Sequence, residues 1–137
     1  MAESIRRVQY FYVMAPDTPG EGARALQTLR AAGVNLLAFS GFPAGKRAQL
    51  DFVPEDPAAF RAVARKAKWK VTGPKAGFLI AGDDRTGVMA EIYEKLAASR
   101  INITASDAVV AGQGQFGAIL WVKARDVNRT AKILGAS

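Results

Sequence analysis

Asp17-Thr18-Pro19-Gly20 returns 67 positions later as Asp84-Arg85-Thr86-Gly87. At the same offset Leu26 meets Tyr93, Leu29 meets Leu96, Ala31 meets Ala98, Val34-Asn35 meets Ile101-Asn102, and Ala38 meets Ala105. Further along the offset reads as 69, matching Leu50 with Ile119, Phe52 with Trp121 and Val53 with Val122. The two extra residues fit the Gly112-Gln113-Gly114-Gln115 turn, where an insertion is cheap. No single match is specific. Held in one register, they identify two copies of one unit.

Each copy reads as strand, helix, strand, strand, helix. Val8 to Met14 is aromatic and β-branched and stops at Pro16. A helix follows from Pro19 or Gly20 to Ala32, with Gly33 suited to its C-terminal cap. Val34 to Ser40 returns as a strand, Pro43-Ala44-Gly45-Lys46 turns, and Arg47 to Val53 alternates Leu50 and Phe52 with Gln49 and Asp51. Asp56 and Pro57 open a second helix to Lys68, as N-cap and first helical residue. Trp69 to Thr72 is expected as a short fourth strand, ended by Gly73-Pro74. The second copy repeats this with Gly77 to Ala81, a helix from Thr86 to Ser99 turning Met89, Ile92, Tyr93 and Leu96 inward, the hairpin Asn102–Val110 and Gln115–Val122, and a helix from Asp126 to Leu134. Only Gly135-Ala136-Ser137 remain, so the last strand of the second unit is expected to be missing.

This order predicts an α+β protein of duplicated ferredoxin-like βαββαβ units, antiparallel sheets with helices on one face, divided as 1–73 and 74–137. Units of that size are marginal alone. Tyr10 and Tyr12 on one face of the first strand, and Phe11 and Val13 on the other, lead to the expectation of a homodimer. Met14, Phe39, Phe42 and Phe78 read as core or interface residues.

The 137 residues are half hydrophobic and contain no Cys and no His. That removes disulfides, thiolate zinc sites and any imidazole base. No stretch is long and apolar enough for a signal segment or a membrane span, which gives a cytoplasmic expectation. The net charge of +7 raises the possibility of a nucleic-acid surface. Its densest run, Arg61, Arg65, Lys66, Lys68, Lys70 and Lys75, instead reads chiefly as the solvated side of an amphipathic helix, lying opposite Phe60, Val63, Ala64 and Ala67. Nucleic acid is therefore not the expected partner.

The chain resembles a tandem pair of ACT domains, small regulatory modules that bind amino acids, from about Val8 to Leu134. The first copy carries Asp17-Thr18-Pro19-Gly20 with Gly33-Val34-Asn35. The second has Asp84-Arg85-Thr86-Gly87 with Arg100-Ile101-Asn102, where Thr replaces Pro and Arg replaces Gly. The resemblance implies a non-catalytic sensor binding an amino acid at interfaces between units, with a regulated enzyme as partner and no cofactor or metal. The expected ligand residues are Asp17, Thr18, Pro19, Gly20, Gly33, Val34 and Asn35, with Asp84, Arg85, Thr86, Gly87, Ile101 and Asn102. Asp17 and Asp84 suit helix-capping carboxylates, the glycines permit close approach, and helix-start amides suit an α-carboxylate. Asn35 and Asn102 offer both donors and acceptors. Equally, the Asp residues can be purely structural caps, and Arg85 reads best as an exposed side chain without a partner. Gln113 and Gln115 lie in a glycine turn that could serve as a lid.

An enzyme is not expected. Asp83-Asp84 are adjacent carboxylates, which diverge in a chain, and an acylphosphatase-like anion loop would need an Arg between Ala15 and Glu21. The alternatives are a protein-docking subunit without a small ligand, and an RNA-binding module stacking bases on Tyr10, Phe11 and Tyr12. Against the latter, Gln115 to Val122 has no basic residue.

Overall fold

A computed structural model describes residues 3–137; Met1 and Ala2, assigned above to the first copy, lie outside the described residues. The elements are β1 (Ser4–Pro16), α1 (Glu21–Ala31), β2 (Leu36–Ala44), β3 (Arg47–Pro54), α2 (Pro57–Lys66), β4 (Val71–Asp83), α3 (Val88–Ala98), β5 (Ile103–Val110), β6 (Gln115–Val122) and α4 (Val127–Leu134), with a 3₁₀ turn Ala124–Asp126 before α4. The chain divides into two compact units. One is Gln9–Lys75; the other is Ala76–Ser137 together with residues 3–8.

In the Gln9–Lys75 unit the strands run β2-β3-β1-β4. β3 lies antiparallel to both β1 and β2, setting Phe11 and Phe39 on either side of Phe52. Phe11, Val13, Leu50 and Phe52 share one sheet face, since alternate strand residues point the same way. They pack against Ala25 and Leu29 of α1 and Phe60 and Ala64 of α2. Both helices therefore cover one face, as the sequence predicts. Asp56 caps α2, its carboxylate accepting from the amides of Ala58 and Ala59.

The other unit repeats this plan as β1-β4-β6-β5, with Phe78 opposite Leu120. Its core takes Phe78 and Ile80 from β4, Ile92 and Leu96 from α3, and Ala118, Leu120 and Val122 from β6. Two expectations are corrected, and the missing last strand is borne out with an addition. First, Gly73-Pro74 does not end a short strand: β4 runs unbroken from Val71 to Asp83. Gly73 makes this possible, because at φ +129 a Cβ there would lie 2.9 Å from the Tyr10 carbonyl oxygen. No strand follows α4, yet its place is not empty. The N-terminal half of β1 groups with this unit, Gly82 sits against Glu3, and Ser137 exchanges backbone hydrogen bonds with Ile5 and Arg7. The place of the missing strand is thus taken by residues 4–8, of which 4–7 precede the first strand expected from the sequence.

Second, the offset between β3 and β6 is 68. Phe11 pairs with Phe52 while Phe78 pairs with Leu120, so Phe52 corresponds to Leu120 and not to Trp121. A slip of one residue exchanges the faces of a strand. The alternation test could not detect it, because Ile119 and Trp121 are as buried as Ala118 and Val122. Tyr93 also departs from its expected inward position; it is 43% exposed, with its hydroxyl bonded to Ser106.

The helix ends keep the repeat. After α1, the amides of Gly33 and Val34 donate to the carbonyls of Arg30 and Leu29; after α3, those of Arg100 and Ile101 donate to Ala97 and Leu96. Both are Schellman closures needing a left-handed residue, supplied by Gly33 at φ +73 but by Arg100 at φ +58. Replacing Arg100 by Gly should raise unfolding free energy by about 1 kcal/mol, because a side chain in this region is strained. Denaturant titration checks it: a higher midpoint at unchanged slope is expected, with Gly33→Ala moving the midpoint down.

Candidate functional site

In both units the turn from the first strand into the first helix carries the motif. Asp17, Thr18, Pro19 and Gly20 are all exposed. Asp17 does not cap α1. The N-cap is Gly20, left-handed at φ +93, and no side chain bonds to the helix start. The turn is held by backbone instead, with the Glu21 amide donating to the Thr18 carbonyl and Arg24 to Gly20. The second unit does the same: Gly87 at φ +81 is the N-cap of α3, and Asp84 caps nothing. The glycine conformation displaces the Asp by bending the chain before its carboxylate can reach the first-turn amides. Both helices therefore start with amide donors that no side chain occupies, the partial positive end of each helix dipole.

The second half of the motif lies elsewhere. Gly33, Val34 and Asn35 follow the C-terminal end of α1, so the length of an 11-residue helix separates them from Gly20, about 16 Å. Val34 is buried in the core, and the backbone of exposed Asn35 accepts from the Glu55 amide. Around it lies a shallow hollow of about 390 Å³, bordered by Leu26, Arg30, Gly33, Asn35 and Leu36. Ile101 and Asn102 repeat the arrangement after α3, one buried and one exposed. Within a unit the structure does not bring the turn and the Asn together.

Arg85 corrects a second expectation. It is not a partnerless exposed side chain: its guanidinium contacts both carboxylate oxygens of Glu91 and also Glu3, the latter at 3.1 Å. These hydrogen bonds hold the Arg85 guanidinium further into its charged range and hold Glu91 below the usual carboxylate range. In the second turn the cation is committed to carboxylates, and the first turn has no such tie. Asp83 accepts from the Gln115 side chain, which tethers the turn read above as a lid.

Other singled-out residues distribute as follows. Phe78 is fully buried, Met14 half-buried, and Phe39 and Phe42 are 39% and 44% exposed. On β1, Phe11 is inaccessible and Tyr10 and Tyr12 are half-buried, with Lys75 5.4 Å over the Tyr12 ring. Sequence reasoning missed a cleft of about 220 Å³ beside the start of α1, whose walls include Met14, Glu21, Arg24, Trp69 and Lys70. Its sequence signal was the position of Trp69 and Lys70 after a helix, which reads as the start of a short strand.

Burial pushes the Asp51 carboxyl above its ordinary value of 3.8, opposed by its hydrogen bond from Gln49 and by Lys75. A raised folded-state value means the contribution to stability is present at low pH and lost as pH rises through that value. Asp51→Asn keeps an acceptor for Gln49 and carries no charge. Its stability advantage over the parent should be largest at neutral pH, shrink as pH falls toward about 4 and be absent below that. Thermal unfolding across pH 3–7 checks this; a pH-independent difference would contradict it.

Among the described residues no three His, Cys, Asp or Glu side chains gather as a metal site, and no helix is long and apolar enough to cross a membrane. No family model matches the sequence, and no curated protein matches it. Solved structures do resemble it in fold. The protein BT0572 of Bacteroides thetaiotaomicron superposes with TM-score 0.81 at 13% identity, covering 97% of this chain and 88% of that one. The ligand-free regulatory subunit of aspartate kinase from Thermus thermophilus gives TM-score 0.63 at 18% identity over 98% of this chain and 95% of its own. Aspartokinase alpha and beta subunits give 0.66 at 15% identity, with 98% and 95% covered.

Proposed function

We propose that this protein is a non-catalytic, ACT-type regulatory module that binds a small effector, an amino acid, and passes the binding on to a partner enzyme. The observation that carries this reading is the pair of glycine-capped helix starts, Gly20 and Gly87, with unoccupied amide donors. Such donors suit an α-carboxylate. The fold shared with regulatory subunits of aspartate kinase supports the same reading. The first turn is the better candidate, since Arg85 ties up the second.

A single small ligand cannot touch both Gly20 and Asn35 of one copy, because α1 lies between them. A site using both therefore takes Asn35 from a second copy of the chain, and the reading includes a homodimer. Regulation requires that the effector favour one arrangement of the partners over another. Calorimetric titration with each of the twenty amino acids tests the proposal. One saturable response, lost in Asn35→Ala, is expected; silence across the set at millimolar concentration would contradict it.

One observation favours a second reading, a docking subunit. Val109 and Val110 on β5 are 65% and 52% exposed, and β5 is the last strand of its unit. Amino-acid silence together with co-purification of a partner enzyme would select that reading.

A further inference from the structure

We propose that the cleft beside the start of α1 is a separate binding site for a small carboxylic acid with an apolar body. It goes beyond the regulatory reading, since it uses neither the glycine turns nor Asn35. The floor is apolar and nearly inaccessible from elsewhere: Val13 of β1, Ala25 of α1 and Leu50 of β3. Trp69 forms a wall and is held in place by stacking on Phe52, with ring centroids 6.0 Å apart and 17° between planes. Its position is fixed before any ligand arrives, which lowers the ordering cost of binding.

The polar groups at the rim decide the ligand's chemistry. Glu21 and Arg24 are paired at 3.3 Å through one guanidinium nitrogen. The Thr28 hydroxyl donates to the Arg24 carbonyl of its own helix. Lys70 borders the cleft and makes no ion pair among the described residues, so it is the cation left for an anionic group. An ammonium with no carboxylate partner over an apolar pocket suits a monocarboxylate. The volume, about 220 Å³, lies below the roughly 300–1,000 Å³ of pockets for drug-sized ligands and sets the ligand as small.

The test uses the full chain and two probes of nearly one shape, isovalerate and its neutral amide isovaleramide. Emission is read from Trp69, against a background from Trp121, the second of the two tryptophans. Calorimetry provides an independent reading of the same titrations. Isovalerate should give a saturable change, and the amide a response at least about tenfold weaker. Lys70→Gln should weaken isovalerate by roughly tenfold without altering the amide, because Lys70 is exposed and its replacement leaves the core untouched. Asn35→Ala should leave the isovalerate response intact. No saturable response by either method, equal responses to acid and amide, or indifference to Lys70→Gln would overturn the site. An amino-acid response lost in Asn35→Ala but kept in Lys70→Gln, with isovalerate silent, would overturn the cleft and leave the regulatory reading standing.

Discussion

A chain that starts at Gln9 should lose roughly 4 kcal/mol of stability in the Ala76–Ser137 unit, from the lost backbone hydrogen bonds of Ile5 and Arg7 to Ser137 and the lost burial of Ile5 and Val8. Those residues belong to the far unit although they come first in the chain. Ile5 packs on its core, Glu3 bonds Arg85, and Ile5 and Arg7 bond the backbone of Ser137. Their removal leaves β4 without its neighbour along residues 76–83. Hydrogen exchange followed by mass spectrometry reads the effect in place. Exchange should accelerate in β4 from Ala76 and in β6, while β3 keeps its protection. An unchanged pattern in β6 would show that the N-terminal strand is dispensable.

Phe52→Ala is expected to cost 3–5 kcal/mol, about the full value of a buried aromatic truncated in a packed core. Phe52 is completely inaccessible, and its ring lies 5.4 Å from Phe39, 5.3 Å from Phe60 and 6.0 Å from Trp69. No neighbour can move in without leaving its own contacts, so the cavity stays largely open. The Gln9–Lys75 unit carries the whole loss, and Trp69 emission should report an unfolding midpoint well below the parent's. A loss below about 1 kcal/mol would mean that the three remaining rings repack freely, contrary to close packing.

The duplication was legible because helices keep strict registers: Ala25 and Leu29 become Ile92 and Leu96 at the same offset, and both pairs are core. The βαββαβ order and the helix faces followed from that. The register of β6 was not legible, since a strand buried on both sides has no alternation to read. Nor was the role of residues 3–8, whose partners Gly82, Arg85 and Ser137 stand far away in sequence. At the candidate site, the residue types of the two turns were found. The capping role given to Asp17 and Asp84 failed on the left-handed glycines three positions later, where local backbone shape overrides a side-chain preference. The grouping of Gly20 with Asn35 came from the family resemblance, and an intervening helix separates the two within one unit.

The measurement that bears most directly on the regulatory account is amide hydrogen exchange of the full chain, with and without the amino acid selected by calorimetry. An effector whose carboxylate sits on the start of α1 should slow exchange at Gly22 and Ala23, and at Val34 to Leu36 where Asn35 takes part. Protection confined to those two segments is the predicted result. Saturating effector that leaves the starts of both α1 and α3 unchanged would contradict the account.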